Sequence, residues 1–308
     1  MTTRLIASLS RWSGLKVSDV DYIVRSAPRR YKVFSIPKRS GGERVVAQPS
    51  REFKALQCLI TDRIIFELPV HGAAHGYVKG RGIKSNAAAH ANSNFILKMD
   101  FSNFFPSIRP GDLGRHMKRH LAAQLTEEER RQLYNLTFWR PRGERGLRLC
   151  IGAPSSPFIS NTIMFDLDSK IHEICEATGI VYTRYADDLT FSCVEKGVLG
   201  QLEVRVRSII DSSKSPRLSV NNQKTVHISR AQRRTVTGIN ISSVGALSIG
   251  RDRKRLIRSM VHKSMLGQLS FEENRELNGL LAFANDIEPE FVLKMKMRAR
   301  KSANRGGD

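Results

Sequence analysis

An α+β fold, with helices laid on one face of an antiparallel sheet, is predicted by three features of this sequence. Short β-branched and aromatic runs alternate with longer segments of helical apolar spacing, rather than falling into blocks of one kind. Several of those runs come in pairs separated by only a few turn-forming residues, which marks antiparallel hairpins. A chain of 308 residues, 40% of them hydrophobic, is long enough to bury a sizeable core and to divide into two or three subdomains.

Taken in order, residues 18–26 are predicted helical, with Ser18 as cap and Asp21 completing a capping box. "YKVFSIPKRSGGERVVAQP" is a hairpin turning at Ser40-Gly41-Gly42. Ser50 then caps a helix whose Phe53, Leu56, Ile60 and Ile64 keep helical spacing until Pro69. A Gly-rich loop and a helix around "KSNAAAH" lead to "FILKMD" (95–100), a short apolar strand ending on an acid. Helices follow Pro110 and Thr126, where Thr126 and Glu129 form a capping box. "FISNTIMFDLDSKIHEICEATG" is one helix stopped by Gly179. "IVYTRY" and "LTFSC" are strands meeting at an Ala-Asp-Asp corner; a helix over 198–213 and the strands "LSVNNQKTVHIS" and "RTVTGINIS" follow. From Gly250 the pattern is helical and basic, and the tail "KSANRGGD" is loose.

Fifty-one Lys and Arg against 29 Asp and Glu leave a net charge of +22, which calls for a polyanionic partner, most simply nucleic acid. The four cysteines show no CxxC pairing, which argues against a zinc site or a disulfide framework. His71 and His75 in "HGAAH" are flanked by Gly72 and Gly76 and are expected in a loop, not on a metal-binding helix. No apolar run has the length of a membrane span and no signal peptide is visible, so the expectation is a cytoplasmic protein without a membrane partner.

The acids at strand ends carry the chemistry. Asp100 closes one strand, and Asp187 and Asp188 occupy a hairpin corner. Successive strand residues face opposite ways, so adjacent acids converge only where the backbone turns. If the two strands are neighbours, three carboxylates gather at one sheet end, and hard oxygens there suit Mg²⁺ held partly by substrate phosphates. The plainer alternative is an exposed turn in which Asp serves the backbone. The flanking strands, the third acid and the basic chain favour the metal site.

Six ordered segments resemble reverse transcriptases. "YADD" between two strands is similar to the catalytic hairpin, "LKMDFSNFFPSI" to the first catalytic motif, "GAPSSP" to the loop under template and nucleotide, and "GGERVVAQPSREFKALQ" to the fingers segment. "NAAAH" (86–90) and "VTG" (236–238) resemble the pair that marks retron enzymes. The resemblance implies a right-hand polymerase: an N-terminal helical extension (1–30), fingers (31–95), a palm (96–238, with a fingers-associated helical insertion over about 110–148) and a basic thumb (239–308). Asp100, Asp187 and Asp188 would bind two Mg²⁺ ions, or Mn²⁺ in their place, with the main-chain carbonyl of Phe101 as a further ligand. Lys38 and Arg44 would grip the triphosphate, Phe105 would be the steric gate against a ribose 2′-OH, and Ile151, Gly152 and Ala153 would line the nucleotide. Lys224 stands where the family carries a candidate general acid for pyrophosphate. Asn86 and His90 would contact nucleic acid.

The run "RDRKRLIRSMVHK" offers Arg251, Arg253, Lys254, Arg255, Arg258 and Lys263 around an apolar stripe of Leu256, Ile257, Met260 and Val261, as a basic thumb helix over nucleic acid. One departure stands out: Ile151 replaces the Gln that usually precedes the Gly of "GAPSSP". The retron resemblance further implies a structured non-coding RNA as template and primer, priming from a guanosine 2′-OH, a single-stranded DNA product made from dNTPs, and an antiphage system with a separate effector protein. The alternatives are a reverse transcriptase of a group II intron or diversity-generating type, and a catalytically silent RNA-binding homologue. The intact Asp100, Asp187 and Asp188 set argues against the last.

Overall fold

The computed structural model describes residues 2–38, 41–121 and 125–303, so the expected turn residue Ser40 and tail residues 304–308 lie outside the described residues. The chain opens on two short helices, α1 (Arg4–Ser13) and α2 (Val17–Ser26). Thr3 caps α1 by accepting from the Ile6 amide, and Gly14 closes it with φ of 74°. The expected Ser18 cap is incorrect: α2 begins a residue earlier, Lys16 stands at the cap, and the Ser18 hydroxyl lies inside the helix against Asp19.

Strands β1 (Tyr31–Pro37) and β2 (Glu43–Pro49) pair antiparallel as a separate hairpin, followed by α3 (Arg51–Arg63). Ser50 does stand at the N-cap of α3, but its side chain makes no capping hydrogen bond. Helix α4 (Ile83–Ala89) precedes the central strand β3 (Phe95–Ser102), and three helices follow: α5 (Phe104–Ser107), α6 (Pro110–His120) and α7 (Glu127–Thr137). The Thr126–Glu129 capping box forms as expected, with Thr126 Oγ1 accepting from the Glu129 amide and Glu129 Oε2 from the Thr126 amide.

The single helix expected over "FISNTIMFDLDSKIHEICEATG" is two, α8 (Ser155–Ile163) and α9 (Phe165–Glu176), meeting at Met164, whose ψ relaxes to −10°. Strands β4 (Val181–Tyr185) and β5 (Asp188–Cys193) form the next hairpin and lead into α10 (Val198–Ser212). "LSVNNQKTVHIS" is not one strand. It divides into β6 (Ser219–Val220) and β7 (Val226–Ser229), because β6 pairs with Phe101 and Ser102 while β7 pairs with Phe95 to Lys98. Five residues therefore stand opposite two, and the excess bulges off the sheet. β8 (Arg234–Val236), β9 (Ile239–Ile241) and β10 (Leu247–Ser248) make a small sheet leading to three helices: α11 (Arg251–Met265), α12 (Phe271–Ile287) and α13 (Pro289–Ala303).

The central sheet runs β4-β5-β3, with β6 and β7 both on the far edge of β3. Strand alternation sorts its residues. Leu97, Met99, Phe101, Leu189 and Phe191 enter the large core with α8, α9 and α10. Ile96 enters a second core with Ala87, Val236, Ile239 and the C-terminal helices. That face is thus covered at the Ile96 end, and Asp100 lies at its other end. Among the described residues no helix is long and apolar enough to cross a membrane.

Candidate active site

Antiparallel register brings the acids together. Asp100 on β3 pairs directly with Asp188 on β5, and Phe101 N–H donates to the Asp187 carbonyl at 3.0 Å. Asp187 sits in the two-residue corner that joins Tyr185 to its strand partner Asp188. Carboxylates directly across a ladder repel, and here they are largely withdrawn from water. Burial, then Asp187, then Asp100 push the Asp188 carboxyl up to about 7; burial and Asp100 also raise Asp187, with Lys224 and Arg44 pulling it back. Two carboxyls raised in this way beside Asp100 form a cluster complementary to a cation.

Lys224 shows what the bulge after β6 achieves. The Asn221 amide donates to the Asp100 carbonyl at 2.7 Å, and the following turn swings Lys224 Nζ to 2.9 Å from both Asp100 carboxylate oxygens. The lysine stands as a cation against the triad, and hydrogen bonding to Asp100 raises its own pKa. Its side chain remains half exposed, free to turn toward a substrate phosphate.

The corner is backbone-strained. Ala186 has φ of 56°, and Tyr77, in the loop passing against it, has φ of 60°. Gly76 permits that approach, since a Cβ there would stand 2.9 Å from the Ala186 nitrogen. Arg184, fully buried, holds the arrangement from beneath: Nη1 donates to the Ala186 carbonyl at 3.1 Å and to Asn161 Oδ1 at 3.0 Å, while Asn161 Nδ2 donates to the Gly76 carbonyl. Nε and Nη2 pair with Asp168.

The remaining expected positions divide. Arg44 on β2 and Lys38 just past β1 are exposed on the hairpin, and Arg44 is close enough to influence Asp187. Phe105 is half-buried, 5.3 Å edge-to-face from Phe104. Ile151 is half-buried and accepts from the Ala47 amide at 2.8 Å, which ties its loop to β2. Gly152 adopts φ of 113° with no room for a Cβ beside the Ala47 carbonyl. Its small size serves packing on β2. Ala153 is corrected as a side-chain contact: its methyl is buried in a small core with Ala47 and Cys150.

Asn86 and His90 are also corrected. Both are buried, and His90 hydrogen-bonds Ser192 Oγ and Thr183 Oγ1 through its two ring nitrogens, both at 2.7 Å. Burial pushes its pKa down to about 3, leaving it neutral. Asn86 reaches Thr237 Oγ1, so "NAAAH" and "VTG" pack on one another and brace the sheet. Lys254 is a third correction: it donates to Glu288 at 2.5 Å and packs on the Phe291 ring, tying α11 to α13. Arg253 is half-buried and donates to the Gly238 carbonyl; Arg251, Arg255, Arg258 and Lys263 are exposed. In the expected stripe, Ile257 and Met260 are buried while Leu256 faces solvent. The four cysteines are free; His71 accepts from the Ala73 amide, and His75 pairs with Ser85.

The crowding has a pH signature. Asp188 titrates near 7 when folded against about 3.9 when unfolded. Between those values the native state retains a proton the unfolded state has lost, so this group lowers stability as pH rises. His90 and His116, depressed to about 3 and about 4, act with the opposite sign, so the parent's slope alone does not isolate the acid. With chelator present, the denaturation midpoint of Asp188→Asn is expected to gain on the parent steadily from pH 4 to 7; a constant gap would contradict the assignment.

The family described as "Reverse transcriptase (RNA-dependent DNA polymerase)" matches residues 36–241. The chain is 39% identical to Retron Ec83 reverse transcriptase of Escherichia coli, over 92% of each chain. It is 32% identical to Retron Mx65 reverse transcriptase of Myxococcus xanthus, over 90% of this chain and 66% of that one. It is 30% identical to Retron Ec73 reverse transcriptase of Escherichia coli, over 89% of each. With Asp100 and Asp188 paired across the sheet and Asp187 in the adjoining corner, the chain belongs to the reverse transcriptase family, in its retron-type bacterial branch, and is an RNA-directed DNA polymerase.

Proposed function

We propose that this chain copies part of a structured non-coding RNA of its own retron into single-stranded DNA, starting from a guanosine 2′-OH, in the bacterial cytoplasm and within an antiphage system that includes a separate effector protein. The observation that carries the catalytic part is the direct Asp100–Asp188 pairing with Asp187 at the adjoining corner. The donor set is hard and crowded, with Asp187 and Asp188 raised in pKa, which fits Mg²⁺, or Mn²⁺ in its place, at Asp100, Asp187, Asp188 and the Phe101 carbonyl. When bound, two such ions supply activation of the attacking hydroxyl and neutralisation of the triphosphate. Residues 31–95 serve as fingers, 96–238 as palm and 239–308 as thumb.

Arg44 and Lys38 hold the triphosphate from the β1–β2 hairpin; the guanidinium suits bidentate contact and the ammonium a point-charge role. The primer hydroxyl loses its proton and bonds to the α-phosphorus as pyrophosphate leaves, and Lys224 gives a proton to that leaving group. Arg251, Arg255, Arg258 and Lys263 contact the nucleic-acid backbone from the thumb. Extension of a primer on a defined RNA template tests the reaction: dNTP incorporation with Mg²⁺ and none with chelator is expected, and no incorporation on RNA under either condition would overturn it.

Phe105 is the steric gate. Phe105→Val is expected to raise ribonucleotide incorporation by at least about tenfold relative to deoxynucleotide, since a clash worth more than about 1.4 kcal/mol is removed; unchanged sugar selectivity would make the ring a packing residue. Ile151 tunes nucleotide affinity or discrimination in place of the usual amide. Ile151→Gln is expected to change the Michaelis constant for dNTP or the error spectrum in steady-state incorporation, and identical values would dismiss that role.

A further inference from the structure

A second group of ligand-type side chains gathers where α6 meets α8 and α9, on the helical side of the central sheet, whereas the catalytic acids occupy the other face. His116 and His120 lie one turn apart on α6, and each brings a ligand atom within 4.8 Å of the other's and of a carboxylate oxygen of Asp166 on α9. The two rings are 4.5 Å apart between centroids. Nothing in the polymerase chemistry above uses these residues.

His116 is only 2% exposed, and its hydrogen bonding fixes its tautomer. The Thr162 hydroxyl has a single proton, which it donates to the Pro69 carbonyl at 2.8 Å. The same hydroxyl oxygen lies 2.8 Å from His116 Nε2, so Nε2–H must donate to it. Nδ1 therefore carries the lone pair, and that buried nitrogen has no hydrogen-bond partner. Burial and the neighbouring His120 push the His116 pKa down to about 4, which keeps the ring neutral. A ring anchored through one N–H, with its other nitrogen bare, is the arrangement in which proteins hold metal-ligating histidines.

His120 Nε2 lies 3.2 Å from Asp166 Oδ1, and Arg119 pairs with the other Asp166 oxygen. The arginine is half exposed and can swing into solvent when a cation takes its place. We propose that His116, His120 and Asp166 bind a borderline divalent transition cation of the Zn²⁺ class, with water completing the coordination, as a clip between α6 and α9. Two imidazoles and one carboxylate, with the histidines four residues apart on a helix, suit Zn²⁺ and disfavour Mg²⁺.

The test uses the full-length chain, stripped with chelator, dialysed and supplied with millimolar Mg²⁺ to engage the catalytic acids. Titration with Zn²⁺ by calorimetry and with Co²⁺ by visible absorption is expected to give one ion per chain and tetrahedral Co²⁺ bands. His120→Ala should weaken binding by roughly a hundredfold, whereas Asp187→Asn should bind as the parent does. Arg119→Ala should tighten binding by roughly tenfold, because a competing cation is removed; misfolding cannot produce such a gain. No stoichiometric binding by the parent, parent-like binding by a folded His120→Ala, or unchanged affinity in Arg119→Ala would each overturn the proposal.

Discussion

Asp187→Asn is expected to leave the chain folded and to lower RNA-templated DNA synthesis by on the order of a thousandfold, the several kcal/mol of transition-state stabilisation that a metal-organising carboxylate contributes. The amide is nearly isosteric, and removing a charge from beside Asp100 and Asp188 relieves repulsion, so loss of activity should come with equal or greater thermal stability. Activity and stability moving in opposite directions is the signature of a functional carboxylate. A variant as active as its parent would remove Asp187 from the chemistry. One that is inactive because it unfolds would make the acid structural.

Arg184→Met is expected to have the largest effect on stability, about 3–5 kcal/mol, because it leaves Asp168 buried without its counter-charge. Tyr182 Oη donates to Asp168 at 2.8 Å, and one hydroxyl does not compensate for a lost guanidinium. Adding Asp168→Leu should recover much of the stability, since replacing both members of a buried ion pair is far milder than replacing one. Activity should not return with it. The Ala186 carbonyl would still lack its donor, and a positive-φ alanine persists only while its surroundings hold it. Thermal unfolding and primer extension on the single and double variants check both statements. A single variant within about 1 kcal/mol of the parent would show that Arg184 does not carry the corner.

The contrast between these two residues explains what could be read from the sequence. Asp187 was legible because its signal is local: an acidic pair between two β-branched runs specifies a corner, and a third acid ends another strand. The Thr126–Glu129 box was legible for the same reason. Arg184 was not, because a lone arginine in a strand reads as surface, and its partner Asp168 lies on a helix that pattern alone places nowhere. Lys224 was visible as a residue, but the bulge that delivers it depends on which stretches of β3 the flanking strands select. Asn86 and His90 were given a nucleic-acid role by the resemblance of "NAAAH" alone, whereas inside the protein Asn86 donates to Thr237 and His90 bonds Ser192 and Thr183. The His116–His120 spacing was present in "RHMKRH", yet only the fold supplies Asp166 and the Thr162 relay.

The most direct measurement is to express the chain from its native locus, isolate it, and sequence the nucleic acid that copurifies before and after debranching and RNase treatment. A single DNA species complementary to part of one structured RNA, joined to it through a guanosine 2′-linkage and absent with Asp187→Asn, is the predicted result. RNA recovered without any complementary DNA from the active parent, or the same DNA recovered with Asp187→Asn, would contradict it.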